Sequence, residues 1–174
     1  MKIVRLSDQP ALKSAIIDIF FESSTVQTFA SEQARADFRA RWLDYYIESE
    51  PEGVFVAVDG NGKAMGYLTG CFNTAAAMKV MYVDSAKAFE PYYKDYPAHL
   101  HINVSAAHRS SGVGAELIMA FENACREQGV GGIHLVTAAG ARNVSFYERN
   151  GFAEIAQAQI KNRTLLLMGK RVRP

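Results

Sequence analysis

The sequence predicts an α+β fold in which six or seven strands form one mixed sheet with helices on its faces. Three observations support this prediction. Residues 2–6 alternate as a strand does and are followed by a helical pattern, and residues 54–72 contain two β-rich runs around a tight turn. From residue 99 onwards, strand and helix patterns alternate almost to the end of the chain.

The N-terminal part predicts one strand and two helical stretches. A Ser-Asp pair ahead of Pro10 indicates a helix start, and the helical pattern continues to about Phe21. Ser31 opens a second helical pattern that ends before Pro51. One face of this second pattern carries Ala34, Phe38, Trp42, Tyr45 and Tyr46. We expect this stripe to pack in the core, and the alternative is that it lines a binding pocket.

The clearest hairpin signal is the turn sequence Asp59-Gly60-Asn61-Gly62-Lys63. Its Asp-Gly and Asn-Gly pairs supply the positive φ that a tight turn between residues 54–58 and 64–72 requires. Residues 73–97 are less regular, and we predict one or two short helices there. The pattern rests on Met78, Met81, Tyr82, Phe89, Tyr92, Tyr93 and Tyr96. An insertion this apolar must pack against another surface.

The C-terminal part predicts four more strands and two more helices. The strands are residues 99–105, 132–137, 152–157 and 164–170, and the helices are residues 112–128 and 141–149. We find no internal repeat and no linker rich in proline or serine. We therefore expect a single domain over residues 1–174.

The composition limits the classes of function. The 174 residues are 49% hydrophobic, which is enough for one sizeable core, and the net charge of +1 gives no long-range field for nucleic acid. Without a secretory signal or an apolar run near 20 residues, we expect a cytoplasmic protein without a membrane partner. Cys71 and Cys125 lack the spacing of a zinc site, so we interpret them as buried thiols.

The segment from Ile102 to Ala115 passes from a strand through a turn into an amphipathic helix. Gly112 and Gly114 remove side chains where an anion must approach backbone N–H groups, and a helix N-terminus adds about half a positive charge. The loop is therefore expected to hold phosphate, and a plain turn is the alternative. The P-loop pattern and the dinucleotide-binding glycine pattern are both missing.

A second motif lies downstream, in Asn143-Val144-Ser145-Phe146-Tyr147-Glu148-Arg149-Asn150-Gly151-Phe152. It predicts a short helix that Gly151 ends in a left-handed conformation. Together with the RxxGxG pattern of residues 109–114, this string resembles the GCN5-related N-acetyltransferase (GNAT) family over the whole order of elements. Residues 96–103, Tyr-Pro-Ala-His-Leu-His-Ile-Asn, resemble a bacterial subgroup related to the acetyltransferase-like domain of O-GlcNAc hydrolases.

This resemblance implies that acetyl-CoA lies between two splayed parallel strands and that its acetyl group passes to an amine by direct attack in a ternary complex. It implies pantetheine contacts from the strand residues Ile102, Asn103 and Val104. It implies pyrophosphate contacts from Arg109, Ser110, Ser111, Gly112, Val113, Gly114 and Ala115, and further cofactor contacts from Asn143, Phe146 and Tyr147. The alternatives are a solvated Arg109 and an Asn143 that caps the last helix.

The resemblance also suggests catalytic roles. Tyr147 stands where the family often places a phenol near the thioester sulfur, so it is the expected acid, unless it is a core tyrosine. Relatives commonly use a carboxylate near the strand that holds Asn103. Because asparagine takes up no proton, the base is His101, a distant Glu through water, or absent. A backbone N–H of residues 102–104 would stabilise the oxyanion.

Several alternatives stay open from the sequence. His99 and His101 share one face of a strand, but without an evident third ligand we favour packing over a metal site. The first function is an N-acetyltransferase for a small-molecule or protein amine, with a homodimer as one option. The second is a CoA-binding module that has lost catalysis and serves in sensing or assembly. The third is a purely structural loop without CoA.

Overall fold

The computed structural model describes residues 1–81 and 84–173, so the predicted helical residue Tyr82 lies outside the described residues. The strands are β1 (Lys2–Arg5), β2 (Val54–Val58), β3 (Ala64–Cys71), β4 (Ala98–Val104), β5 (Gly132–Ala138), β6 (Ala153–Ile160) and β7 (Arg163–Arg171). The helices are α1 (Lys13–Ser23), α2 (Glu32–Arg39), α3 (Tyr45–Ser49), α4 (Thr74–Ala77), α5 (Asp84–Phe89), α6 (Val113–Glu127) and α7 (Val144–Arg149).

The strands form one seven-stranded mixed sheet in the order β1-β2-β3-β4-β5-β7-β6, which confirms the predicted fold class. The pairs β1–β2, β2–β3, β5–β7 and β6–β7 are antiparallel, whereas β4 and β5 are parallel. Within the described residues, the β4–β5 register contains only Ala98 opposite Ile133 and His99 opposite His134. The ladder therefore ends early on β4, as the prediction of splayed parallel strands requires.

The chain divides into two compact units, of which the first comprises Met1–Gly70 and His101–Phe121. Strand β2 is buried at every position, and α6 buries Leu117, Ile118 and Phe121. Gly70 on β3 lets the Phe121 ring approach the strand backbone, because a Cβ at this position would lie 2.2 Å from ring carbon Cε2. The packing of α6 on β3 thus depends on a missing side chain.

Two helix boundaries in the first unit differ from the prediction. Ser7 and Asp8 do not cap α1: Pro10 begins a 3₁₀ turn that precedes Lys13, and the Ser7 hydroxyl bonds Asp8 instead. The second helical stretch is not continuous, because the π-helical turn Ala40–Asp44 separates α2 from α3. Ser31 does cap α2, since its hydroxyl oxygen accepts the N–H of Ala34 at 3.1 Å.

The second unit comprises Cys71–Leu100 and the chain from Glu122 onwards. The apolar insertion after β3 packs on the unit's own strands: Phe89 and Tyr93 are buried with Leu167 of β7. The Thr74 hydroxyl donates to the Pro97 carbonyl at 2.7 Å and bonds His99 Nδ1 at 2.8 Å, which ties α4 to the start of β4. The insertion is therefore part of a core.

The remaining boundaries agree with the prediction to within a few residues. Helix α7 begins at Val144 rather than Ala141, because residues 141–143 form a turn. Both cysteines are buried, as expected. No helix of the described residues is long and apolar enough to cross a membrane. The expectations of a single domain and of a cytoplasmic location stay predictions.

We expect Gly70→Ala to lower the free energy of unfolding by about 1–3 kcal/mol, because the added methyl group overpacks the contact with Phe121. Gly60→Ala is the matched control, since a Cβ there has nothing within 4 Å, and we expect a change within about 0.5 kcal/mol. Urea denaturation measures both values. Equal stability of the two variants would show that the α6 contact does not need the glycine.

Candidate active site

The loop between β4 and α6 has an unusual backbone. After the 3₁₀ turn Ala106–His108, Ser110 and Gly112 adopt positive φ angles of 61° and 86°. The Ser111 hydroxyl donates to the His108 carbonyl at 2.6 Å, and Arg109 Nε donates to the Val104 carbonyl at 3.3 Å. The first bond lies within the loop, and the second ties the loop to the end of β4.

Backbone N–H groups at the junction of this loop and α6 lack an acceptor among the described residues. Within the part of the chain that the structure describes, Ser110, Ser111, Gly112, Val113 and Gly114 donate no backbone N–H hydrogen bond. The start of α6 contributes such unpaired donors, and residues with positive φ turn successive N–H groups towards a common concavity. A Cβ at Gly112 would meet nothing within 4 Å, so the loop is open there. This arrangement suits an anion.

A cavity of about 220 Å³ lies in the first unit, beside β3 and β4. Its lining is Phe20, Ser24, Thr25, Phe38, Trp42, Tyr67, Thr69, His101 and Asn103. His101 and Asn103 of this lining are residues to which the sequence resemblance gave catalytic roles, and those roles stay predictions. The alternative that the helical stripe lines a pocket holds for Phe38 and Trp42. The sequence did not reveal Tyr67 and Thr69, whose alternation on a hairpin strand gives no sign of a site.

Asn103 and Tyr67 form the polar end of this cavity. Asn103 Nδ2 donates to Tyr67 Oη at 2.8 Å. Burial raises the pKa of Tyr67, and the hydrogen bond from Asn103 opposes that rise only in part. Tyr67 is therefore a neutral phenol at neutral pH, and Asn103 is a hydrogen-bonding group rather than a base.

His101 is the only histidine among the described residues that line the cavity. Its ring packs edge-on to buried Tyr46, with centroids 5.7 Å apart. Although the side chain is accessible, the surrounding protein desolvates the ring and lowers its pKa to about 4. This lowered pKa leaves a neutral imidazole at pH 7.

The second unit contains Asn143, Phe146 and Tyr147. Asn143 does not cap α7 with its side chain; its Oδ1 accepts the Thr137 hydroxyl at 2.9 Å, so the capping alternative is wrong. Tyr147 is buried between the rings of Phe146 and Phe152, at 5.2 and 5.9 Å. Burial raises the pKa of Tyr147 to about 12, against a hydrogen bond with Asn143, so its phenol is protonated at neutral pH.

The family model described as the acetyltransferase (GNAT) family matches residues 15–152, which is most of the chain. The chain belongs to this family. Its members generally use acetyl-CoA, and this protein is a GNAT acetyltransferase. The resemblance drawn from the sequence is thereby confirmed, whereas the narrower resemblance to the O-GlcNAc hydrolase subgroup stays a prediction.

Solved structures with the GNAT fold resemble this acetyltransferase over nearly the whole chain. A crystal structure of SsHAT is 24% identical, with a TM-score of 0.79 and coverage of 99% of this chain and 98% of that one. An aminoglycoside 6'-acetyltransferase type Ii is 18% identical, with a TM-score of 0.69 and coverage of 100% and 99%. A GCN5-related N-acetyltransferase from Kribbella flavida is 20% identical, with a TM-score of 0.65 and coverage of 98% and 96%. No curated protein matches.

The described residues of this GNAT acetyltransferase contain no cluster of three or more His, Cys, Asp or Glu side chains that could hold a metal ion. His99 is buried and bonds Thr74, so it belongs to the packing of the second unit. Arg109 is exposed, and only its Nε has an acceptor within the described residues. Its terminal nitrogens are available to an anion.

The lowered pKa of His101 makes the stability of the enzyme depend on pH. Histidine in the unfolded chain takes up a proton at about pH 6.5, whereas folded His101 stays unprotonated until about pH 4. The stabilising contribution is therefore complete above the unfolded pKa and is lost as the pH falls towards 4. We expect the free energy of unfolding of His101→Gln to fall less over this window than that of the parent, as measured by urea denaturation. Parallel curves would contradict the shift.

Proposed function

We propose that this enzyme binds acetyl-CoA through the loop between β4 and α6 and transfers the acetyl group to an amine in the cavity beside β3 and β4. The run of unpaired N–H groups from Ser110 to Gly114 carries the proposal. A pyrophosphate supplies the oxygens that accept hydrogen bonds from these N–H groups, and α6 directs its positive end at those oxygens. The exposed guanidinium of Arg109 adds a charge-assisted hydrogen bond.

The other cofactor contacts follow from the family and from the local structure. Ile102, Asn103 and Val104 lie on β4 beyond its last parallel pair with β5, which supports backbone contacts to pantetheine. The family pattern assigns Asn143, Phe146 and Tyr147 to the same cofactor. These three cofactor contacts stay predictions that rest on the motif.

Bound acetyl-CoA supplies an activated acyl thioester. The residues of the chain orient the two substrates and hold the protons that the reaction moves. A backbone N–H of residues 102–104 is the proposed donor to the oxyanion. Tyr147 holds a proton throughout the neutral pH range and is the proposed acid. The neutral His101 ring is the proposed acceptor of a hydrogen bond from the attacking amine. Asn103 is the proposed residue that orients this amine. No covalent intermediate with the enzyme is required.

The acceptor as a small-molecule or protein amine, the absence of nucleic acid and membrane partners, and a homodimer remain predictions from the sequence. One experimental result distinguishes the alternative function, a CoA-binding module without catalysis, from the proposed acetyltransferase. This alternative predicts acetyl-CoA binding without release of free thiol in the presence of any amine.

We expect Ala115→Glu to separate cofactor binding from stability. Ala115 is exposed in the first turn of α6, where a carboxylate favours the helix but repels a pyrophosphate. The affinity for acetyl-CoA should fall about tenfold or more, without loss of thermal stability of the free protein. Isothermal titration calorimetry and thermal denaturation measure the two effects.

Met119→Glu is the matched control for this variant. Met119 is 50% exposed and lies one turn further along the same helix. The substitution therefore adds the same charge at a position away from the loop. We expect its affinity for acetyl-CoA to equal that of the parent. If Ala115→Glu also binds acetyl-CoA as the parent does, the loop is not the pyrophosphate site.

A further inference from the structure

The acceptor cavity in the first unit has two kinds of wall. Phe20, Phe38 and Trp42 form an aromatic wall, while uncharged polar side chains form the remainder. Its volume of about 220 Å³ is below the ~300–1,000 Å³ of pockets for drug-sized ligands. A small planar organic molecule therefore fits this cavity better than an extended peptide or alkyl chain.

The cavity offers no countercharge to an ammonium group. None of the described residues that line it is Asp, Glu, Lys or Arg. His101 is neutral at pH 7 because its pKa is lowered, and Tyr67 keeps its proton because its pKa is raised. A protonated alkylamine would lose its water here and gain no opposite charge, which costs free energy.

An aromatic wall can bind a cation through its ring faces, but this one already has a cation beside it. The guanidinium carbon of Arg41 lies 5.2 Å from the ring centroid of Trp42. The rings of Phe20 and Phe38 pack against each other at 5.5 Å. A second positive charge on the Trp42 ring would be repelled by Arg41, so the wall favours an uncharged ring.

The π-helical turn Ala40–Asp44 contributes to this wall. An uninterrupted helix would continue the spacing of Phe38, Trp42 and Tyr46 along one stripe. With five residues in the π-helical turn, Trp42 lines the cavity and Tyr46 is buried against His101. Such local departures from α-helix geometry are frequent at functional sites.

Resting on the proposed function, we propose that the acceptor is a small aromatic amine that is uncharged at neutral pH. Its ring packs on Phe38 and Trp42, and its amino group meets the Asn103 and Tyr67 side chains. Because Asn103 Nδ2 donates to Tyr67 Oη, the Asn103 carbonyl oxygen can accept an amine N–H and the Tyr67 hydroxyl can donate to a substituent.

The chemistry of transfer agrees with an uncharged acceptor. The amine lone pair forms the N–C bond, the C–S bond of the thioester breaks, and one N–H proton ends on the leaving sulfur. No net proton is released. A protonated alkylamine would first have to give up a further proton, and Asn103 and the weakly basic His101 are poor acceptors for it. The presence of Asn103, where relatives commonly use a carboxylate, thus agrees with an acceptor amine that is uncharged.

Trp42 provides a direct test because it is the only tryptophan of the chain. Its indole N–H gives one resonance in a ¹H–¹⁵N spectrum, which we would follow in the full chain at pH 7 during titration with aniline, benzylamine or cyclohexylamine. Aniline is uncharged at this pH, and the other two are ammonium ions. We expect saturable shifts with aniline at a Kd about tenfold or more below that of benzylamine.

Asn103→Asp should reverse this preference, because it places a carboxylate in the cavity without changing its shape. Benzylamine should then bind more tightly than aniline. Asn61→Asp in the hairpin turn is the matched control and should keep the preference of the parent. Benzylamine binding as tightly as aniline to the parent, or no shift of the Trp42 resonance with aniline, would overturn the proposal.

Acetyl transfer measured in parallel distinguishes this inference from the proposed function. Aniline binding without formation of acetanilide from acetyl-CoA leaves the binding preference of the cavity intact and contradicts the proposed transfer to an amine in this cavity. Acetylation of benzylamine in preference to aniline leaves the transfer intact and contradicts the acceptor class.

Discussion

The turn from β4 into α6 is the constraint on which the rest of the account depends. It leaves the backbone N–H groups of Ser110 to Gly114 without an acceptor among the described residues, and it requires Ser110 and Gly112 to adopt positive φ. A non-glycine residue in this region costs about 1–3 kcal/mol and persists only where its surroundings enforce it. Here the bonds from Arg109 to Val104 and from Ser111 to His108 do so, together with the buried face of α6.

The cavity beside β3 and β4 complements this loop with a different chemistry. The loop presents positive charge and backbone donors, whereas the cavity presents aromatic rings and neutral polar groups. Asn103 belongs to β4 and lines the cavity, where its side chain bonds Tyr67 rather than taking up a proton. An enzyme with this arrangement gains more from positioning an amine than from deprotonating one.

Much of the fold could be predicted from local pattern, because alternation, glycine turns and helical periodicity are short-range signals. The start of α1 could not be predicted in this way, because Pro10 begins a 3₁₀ turn where a helix cap was expected. The π-helical turn around Trp42 was also missed, because it has no sequence signature. The cofactor role of residues 109–115 and the catalytic roles of His101 and Asn103 stay predictions, although the sequence pointed to two residues that line the cavity. Tyr67 and Thr69 were missed because the pairing of β3 with β4, which are far apart in the sequence, brings them to Asn103 and His101.

The most direct test of the account is the response of the loop amides to cofactor. In ¹H–¹⁵N spectra of the full chain, titration with acetyl-CoA should shift the amide resonances of Ser110 to Gly114 more than those of the hairpin turn at residues 59–63. Inorganic pyrophosphate should shift the same loop resonances in the same direction. Resonances of Ser110 to Gly114 that stay in place at saturating acetyl-CoA would contradict the central claim that this loop binds the cofactor's pyrophosphate.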